Sequence, residues 1–259
     1  MKNLYRTLTS VNWDMARLPY TVVLVRPRDP NNIGAAARAM KNFGLSDLII
    51  VSPHPPVWQE ARSAVGAEDV LAEARVVATI AEAVADCTLV IGTAARTRSG
   101  KNRPLLTPAE LRRELAAGRE RVALVFGPEK TGLTNSDLSF CHRTLSIPTR
   151  PACPSMNLGQ AVAICCYELT REDGAEGQPE TVASDKASVG HLEGLLSQTV
   201  EVLSIASFLG AHNQKAMTEE LRRSLLRWGL TPREVTILRG ALRQIAWKLR
   251  DKATPQINL

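Results

Sequence analysis

The sequence predicts an α/β fold: a mostly parallel sheet with helices on both faces, followed by a small helical C-terminal extension. Three observations predict it. Five short apolar runs are continuous rather than alternating, which is how strands covered on both faces read. Helical patterns separate those runs, and strand–helix alternation implies parallel crossovers. After residue 170 the composition changes, and only helical patterns follow.

In chain order, residues 1–18 form a polar leader without the apolar stretch of a signal peptide. The expected strands are Tyr20–Arg26, Leu48–Ser52, Thr88–Gly92, Val122–Gly127 and Thr144–Pro148. The expected helices are Ile33–Phe43, Val57–Val65, Ile80–Ala85, Pro108–Ala117 and Ser155–Thr170. Together they make one domain over 19–170. Residues 171–190 carry five acids, two bases and three glycines, and read as a linker. The extension, 191–259, holds three helical patterns. In His191–Leu209 the stripe is Leu192, Leu195, Leu196, Leu203 and Ala206. The second helix is expected to start at a capped Thr218-Glu219-Glu220 and to end at Trp228-Gly229. The third begins with the capping box Thr231-Pro232-Arg233-Glu234 and turns Val235, Leu238, Leu242, Ile245 and Leu249 inward.

The composition is that of a globular chain: 259 residues, 44% hydrophobic and 22% charged. Aromatic residues reach only 4%, which argues against wide stacking platforms for single strands. Net charge is +6, and it is unevenly spread. Between Thr88 and Pro108 lie Arg96, Arg98, Lys101 and Arg103 with no acid, a patch suited to a polyanion. Five cysteines without paired metal spacing suggest reduced thiols in a cytoplasmic protein and no metal site. No run approaches the ~20 apolar residues of a membrane span.

In open α/β sheets, ligands sit beyond the carboxyl ends of the strands, so those ends are the candidate site. The first reads Asp29-Pro30-Asn31-Asn32-Ile33-Gly34-Ala35-Ala36-Ala37-Arg38. Asn31 or Asn32 can cap the helix, Gly34 and the alanines permit close packing, and Arg38 suits phosphate or a developing oxyanion. The second is Gly92-Thr93-Ala94-Ala95-Arg96-Thr97-Arg98, small residues followed at once by arginines. The third, Phe126-Gly127-Pro128-Glu129-Lys130-Thr131-Gly132-Leu133, lacks the Gly-Lys-Ser/Thr ending of a Walker loop. Ile147-Pro148 and Pro154-Ser155-Met156-Asn157-Leu158 complete the set, with Ser155 a good helix cap.

The order and spacing of these segments resemble the three signature motifs of the SpoU-type (SPOUT-class) RNA 2′-O-methyltransferases. The Gly-Thr-Ala-Ala-Arg-Thr-Arg segment and the C-terminal helices are similar to the TrmJ-like branch, which methylates tRNA at position 32 of the anticodon loop. The similarity runs from about Tyr20 to about Arg250. It implies an α/β trefoil knot, a homodimer, and S-adenosyl-L-methionine as donor. It also implies donor contacts at Thr93, Ala94, Ala95, Gly127, Ile147, Pro154, Ser155 and Met156. Asn32, Arg38, Glu129, Ser155 and Asn157 fall on the family's conserved motif positions and are the expected catalytic set.

Arg38, Arg96, Arg98, Lys101 and Arg103 are the expected contacts to tRNA. Guanidinium groups stay charged, so Arg38 is expected to position phosphate and stabilise alkoxide charge rather than to act as a base. Met156 departs from the family's usual leucine, a change that an adaptable side chain tolerates. DNA and membranes are not expected partners. The same motifs are compatible with a different tRNA position or rRNA as target, or with a knotted RNA-binding protein that no longer catalyses. A small-molecule nucleotide enzyme is disfavoured by the missing Rossmann and Walker glycines.

Overall fold

The structure, a computed structural model, describes residues 19–54, 61–94, 105–115, 118–171, 182–183 and 185–253. Its centre is a seven-stranded sheet. The sheet strands are β1 (Tyr20–Val25), β2 (Asp47–Val51), β3 (Arg75–Val77), β4 (Leu89–Thr93), β5 (Leu105–Leu106), β7 (Val122–Phe126) and β8 (Arg143–Leu145). All neighbours are parallel, in the order β3-β2-β1-β7-β4-β8-β5. A separate two-stranded pair joins β6 (Gly118–Arg119) to β9 (Val182–Ala183).

Successive strand residues point to opposite faces, and each face has its own core. On one face Val22, Leu24, Ile50, Ile91 and Leu124 pack against α1 (Pro30–Asn42), α2 (Glu68–Ala72), α4 (Pro108–Leu115) and α6 (Leu158–Thr170). On the other, Val23, Val25, Val90 and Val125 meet α3 (Ile80–Ala83) and α5 (Asn135–Leu138). That second face is sealed by α7 (Val189–Ile205), with Leu225 and Leu226 of α8 (Gln214–Trp228) and Val235 of α9 (Pro232–Ala253) in the same cluster. Ala187 and Val189, at the end of the expected linker, are buried there. Their amides donate to the Leu230 and Cys87 carbonyls.

Several local expectations need correction. The cap of α1 is Asp29, whose carboxylate accepts the Asn31 N–H at 2.9 Å. Pro30 then takes the first helical position, where its missing N–H costs nothing. Neither asparagine is the cap, and Asn32 is thereby free for other work. At α6 the cap is Asn157, not Ser155, and the strand before it stops at Leu145 rather than Pro148. The helix expected over Val57–Val65 reduces to one 3₁₀ turn, Arg62–Ala64, with part of the expected span outside the described residues.

Helix α8 begins at Gln214, so Thr218 is internal and its hydroxyl donates to the Gln214 carbonyl at 2.7 Å. Its end matches expectation, because Gly229 supplies the left-handed turn (φ 62°). The capping box of α9 forms as expected: Thr231 N–H donates to Glu234 at 2.8 Å and Glu234 N–H to Thr231 Oγ1 at 3.3 Å. Its inward stripe is rotated, however. Leu238 and Ile245 are exposed, while Val235 and Ala246 are buried. Gly194 of α7 leaves room for the Arg239 guanidinium, which donates to Gln198 Oε1 at 3.2 Å. That fit brings the row Val235–Arg239–Leu242–Ala246 to the seam. On α7, Leu192, Leu195 and Leu196 are buried as expected, but Ala206 lies beyond the helix end and is exposed.

One polar group inside this frame responds to pH. His142, just before β8, accepts the Val90 N–H on Nδ1 at 3.0 Å. Burial, with Arg143 and Lys186 nearby, pushes its imidazole down to about 4. Below about pH 6.5 the unfolded chain takes up a proton that the folded chain refuses until about pH 4. Stability contributed by the neutral ring is therefore complete above pH 6.5 and is lost as pH falls, by up to ~3 kcal/mol. In His142→Asn, whose amide oxygen can still accept from Val90, urea midpoints measured between pH 7 and 4.5 should fall less steeply than in the wild type. An unchanged slope would remove His142 as the cause.

Candidate active site

Three segments far apart in sequence meet at the carboxyl end of the sheet. The relay among them has a fixed direction. Asn157 Oδ1 is taken up by the helix it caps, accepting the Gly159 N–H at 2.9 Å. Its amide nitrogen must then point outward, and it donates to Asn32 Oδ1 at 2.7 Å. That contact orients Asn32 in turn, whose amide donates to Glu129 Oε1 at 2.9 Å. A helix cap thus sets the orientation of two asparagines and one carboxylate. The backbones come close enough for this because Gly159 lies on Ala35 of α1: a Cβ there would stand 2.6 Å from the alanine Cβ. The small residues of the α1 start therefore serve α1–α6 packing, and Gly34 similarly abuts Ser63 and Ala61.

Beside the relay lies an open cavity of about 450 Å³, within the usual size range for small-molecule sites. The ends of β4 (Thr93, Ala94), β7 (Gly127) and β8 (Ile147) form one side. Pro154, Ser155 and Met156 form another, and Glu129 reaches its edge. Thr93 Oγ1 donates to the Val125 carbonyl at 3.1 Å and Ala94 N–H to the Leu145 carbonyl at 2.9 Å, so the floor is rigid. Gly127 is required by space: a Cβ there would fall on the backbone of Gly132 and Leu133. Gly132 turns the chain back with φ 62°, and its N–H donates to the Pro128 carbonyl at 2.8 Å. Among the described residues, no cluster of His, Cys, Asp or Glu is placed to hold a metal ion. No helix among them is long and apolar enough to cross a membrane.

The sequence profile of the SpoU rRNA methylase family matches residues 19–167, the span that holds the sheet, the relay and the cavity. The chain belongs to the SpoU rRNA methylase family. Curated SpoU relatives extend the likeness into the C-terminal helices. A protein of Yersinia enterocolitica named tRNA (cytidine/uridine-2′-O-)-methyltransferase TrmJ is 38% identical over 232 residues, 86% of this chain and 90% of its own. An uncharacterized tRNA/rRNA methyltransferase of Haemophilus influenzae is 36% identical, covering 85% of this chain and 92% of its own. The crystal structure of TrmJ from Z. mobilis superposes with a TM-score of 0.77 at 33% identity. It covers 87% of this chain and 98% of that one.

Measured against the SpoU motif residues, the structure brings together Asn32, Glu129 and Asn157, and places Thr93, Ala94, Gly127, Ile147, Pro154, Ser155 and Met156 around one cavity. It does not join Arg38 to the relay. Arg38 is exposed on α1, about 9 Å along the helix from Asn32, without a polar partner among the described residues. Ala95, Arg96, Arg98, Lys101 and Arg103 lie outside the described residues. Pro148, expected at the same strand end as Ile147, lines the cavity too, and Leu145, Ser146, Thr149 and Ala161 join it without having been expected there. The rule that ligands sit beyond strand ends points to the first three of these four once the end of β8 is known. All five cysteines are free thiols; Cys153 is exposed near the cavity, and the other four are buried.

Proposed function

We propose that this chain transfers a methyl group from S-adenosylmethionine to the ribose 2′-hydroxyl of cytidine or uridine at position 32 of the tRNA anticodon loop. The observation that carries this reading is the meeting of the three motif segments in an oriented Asn157–Asn32–Glu129 relay beside a cavity. The cavity fits the donor: it has the volume for a nucleoside, small residues where backbone must approach, and one carboxylate at its edge. When bound, S-adenosylmethionine supplies an electrophilic methyl group on a cationic sulfur. Thr93, Ala94, Gly127, Ile147, Pro154, Ser155 and Met156 would hold it.

The work of the chain's own residues is then alignment. The 2′-hydroxyl is a weak nucleophile, and holding it in line with the methyl carbon removes much of the barrier. The relay keeps Glu129 and Asn32 stationary at the cavity edge. Arg38, exposed on the same helix as Asn32, meets the RNA phosphate and stabilises charge as the hydroxyl proton leaves to phosphate or water. The acceptor oxygen gains the methyl group and a neutral thioether remains. Arg96, Arg98, Lys101 and Arg103 follow the strand end that carries Thr93 and Ala94, and belong to the RNA surface in this reading.

The same reading includes a homodimer working in the cytoplasm, with the second copy closing the open side of the cavity. It also includes the trefoil knot. The order of the sheet, with β8 lying between β4 and β5, supports that part of the reading. The division after the first 18 residues, into a domain over 19–170, a 171–190 linker and a helical 191–259, stays part of it, with α7 packed onto the sheet. Purified protein given donor with a labelled methyl group should label the ribose of unmodified tRNA. Label confined to rRNA would overturn the tRNA assignment, and label on bases would overturn the chemistry.

A further inference from the structure

Arg26 closes β1 and makes a bidentate pair with Asp137: Nη2 to Oδ2 at 2.5 Å and Nη1 to Oδ1 at 3.2 Å. The Asp137 carboxylate is buried, and Oδ2 also accepts the Thr134 N–H at 2.8 Å in the capping box of α5. Arg26 itself sits at φ 49°, in the left-handed region that a non-glycine residue adopts only when its surroundings hold it there. Nothing in the relay or the cavity uses this pair, yet its position relates to both.

Two stretches of chain are joined to each other at both ends here. One is 26–32, from the end of β1 to Asn32. The other is 129–137, from Glu129 to Asp137. They are tied at one end by Asn32–Glu129 and at the other by Arg26–Asp137. Between the ties, Pro27, Pro30 and the Asp29 cap stiffen the first stretch, and the Pro128–Gly132 turn and the Thr134 cap stiffen the second. Loosening the far tie therefore shifts Glu129 against Asn32.

We infer that Arg26, through Asp137, is a positioning residue for methyl transfer: it sets the separation of the Asn32 and Glu129 segments without touching donor or RNA. The inference rests on the function proposed above. A charge-assisted bidentate pair is directional as well as strong, and displacements of ~1 Å at a reacting centre can cost ~100-fold in rate.

The test uses full-length Arg26→Gln, Asp137→Asn and the double variant, assayed well below their melting temperatures. The expected result is a 10- to 30-fold fall in kcat for each single variant, with donor and tRNA affinities within threefold of wild type. The double variant should be no worse than the poorer single, and Arg26→Lys should recover part of the loss. A purely structural tie would lower the melting temperature and leave kcat of the folded fraction unchanged; that result, or multiplicative losses in the double variant, would overturn the inference. Hydrogen exchange gives a readout independent of turnover. Amides of 129–134 and 31–33 should exchange faster in Arg26→Gln than in wild type, while the β2 amides stay unchanged. If wild type transfers no methyl group, the proposed function fails; unchanged exchange in 129–134 sinks the positioning role separately.

Discussion

Replacing Gly127 with alanine should abolish donor binding and destabilise the protein by ~2–3 kcal/mol, in the range of an overpacked core. The backbone at Gly127 is not in the left-handed region, so conformational freedom is not the reason for glycine. The cost is steric: the added Cβ would fall on the Gly132 carbonyl carbon and the Leu133 nitrogen. Backbone atoms cannot rotate away as a side chain can. Relief would have to come from moving the Pro128–Gly132 turn, which carries Glu129 and one wall of the cavity. Calorimetric titration with S-adenosylmethionine should show at least a 100-fold weaker Kd than wild type, alongside a lower melting temperature. Wild-type affinity in Gly127→Ala would mean that this wall does not hold the donor.

Arg38→Lys should lower kcat by roughly 100-fold, equal to ~2.7 kcal/mol of transition-state stabilisation, while leaving stability and donor affinity unchanged. Stability should hold because Arg38 is exposed and makes no polar contact among the described residues. Lysine keeps the positive charge but loses the planar fork that grips a phosphate with two parallel bonds. The contrast between the two variants is informative: one loses the donor side of the reaction, the other the acceptor side. Near-wild-type turnover in Arg38→Lys would show that guanidinium geometry plays no part.

The sheet was legible because its central strands are saturated with apolar residues. Val22–Val25, Leu48–Val51 and Val122–Phe126 are buried on both faces and have no alternation to hide them. Strands β3 and β5 were not legible. Arg75 and Val76 are exposed on the sheet edge and only Val77 is half-buried, while Leu105–Leu106 is two residues long. Nor does any local pattern reveal that β8 lies between β4 and β5. Strand order is decided by long-range packing, which a residue window does not contain.

Helix caps show a finer limit. Asp29, Asn31 and Asn32 are all good cap types, as are Ser155 and Asn157. Pro30 held the missing clue for α1, because proline favours the first helical position and so points to Asp29. For α6 no comparable signal exists. The site was partly legible: glycines, asparagines and the glutamate stood out by type and order, and the resemblance assigned them together. Their mutual contacts were not, since Asn32 and Glu129 are 97 positions apart and Asn32 and Asn157 are 125 apart. Nothing in the sequence pairs Arg26, the end of an expected strand, with Asp137. A charge that ends an apolar strand usually faces solvent, and only the fold shows that this one reaches a buried carboxylate.

In the proposed function, one ribose hydroxyl in the tRNA anticodon loop accepts the methyl group. Two synthetic tRNAs that differ at nucleotide 32 alone, one with a ribose and one with a 2′-deoxyribose, decide this. Labelled methyl transfer from S-adenosylmethionine, read by mass mapping of the digested RNA, should place one methyl group on the ribose of nucleotide 32 in the first and none on the second. Equal labelling of both tRNAs, or a methyl group mapped to any other nucleotide, would contradict it.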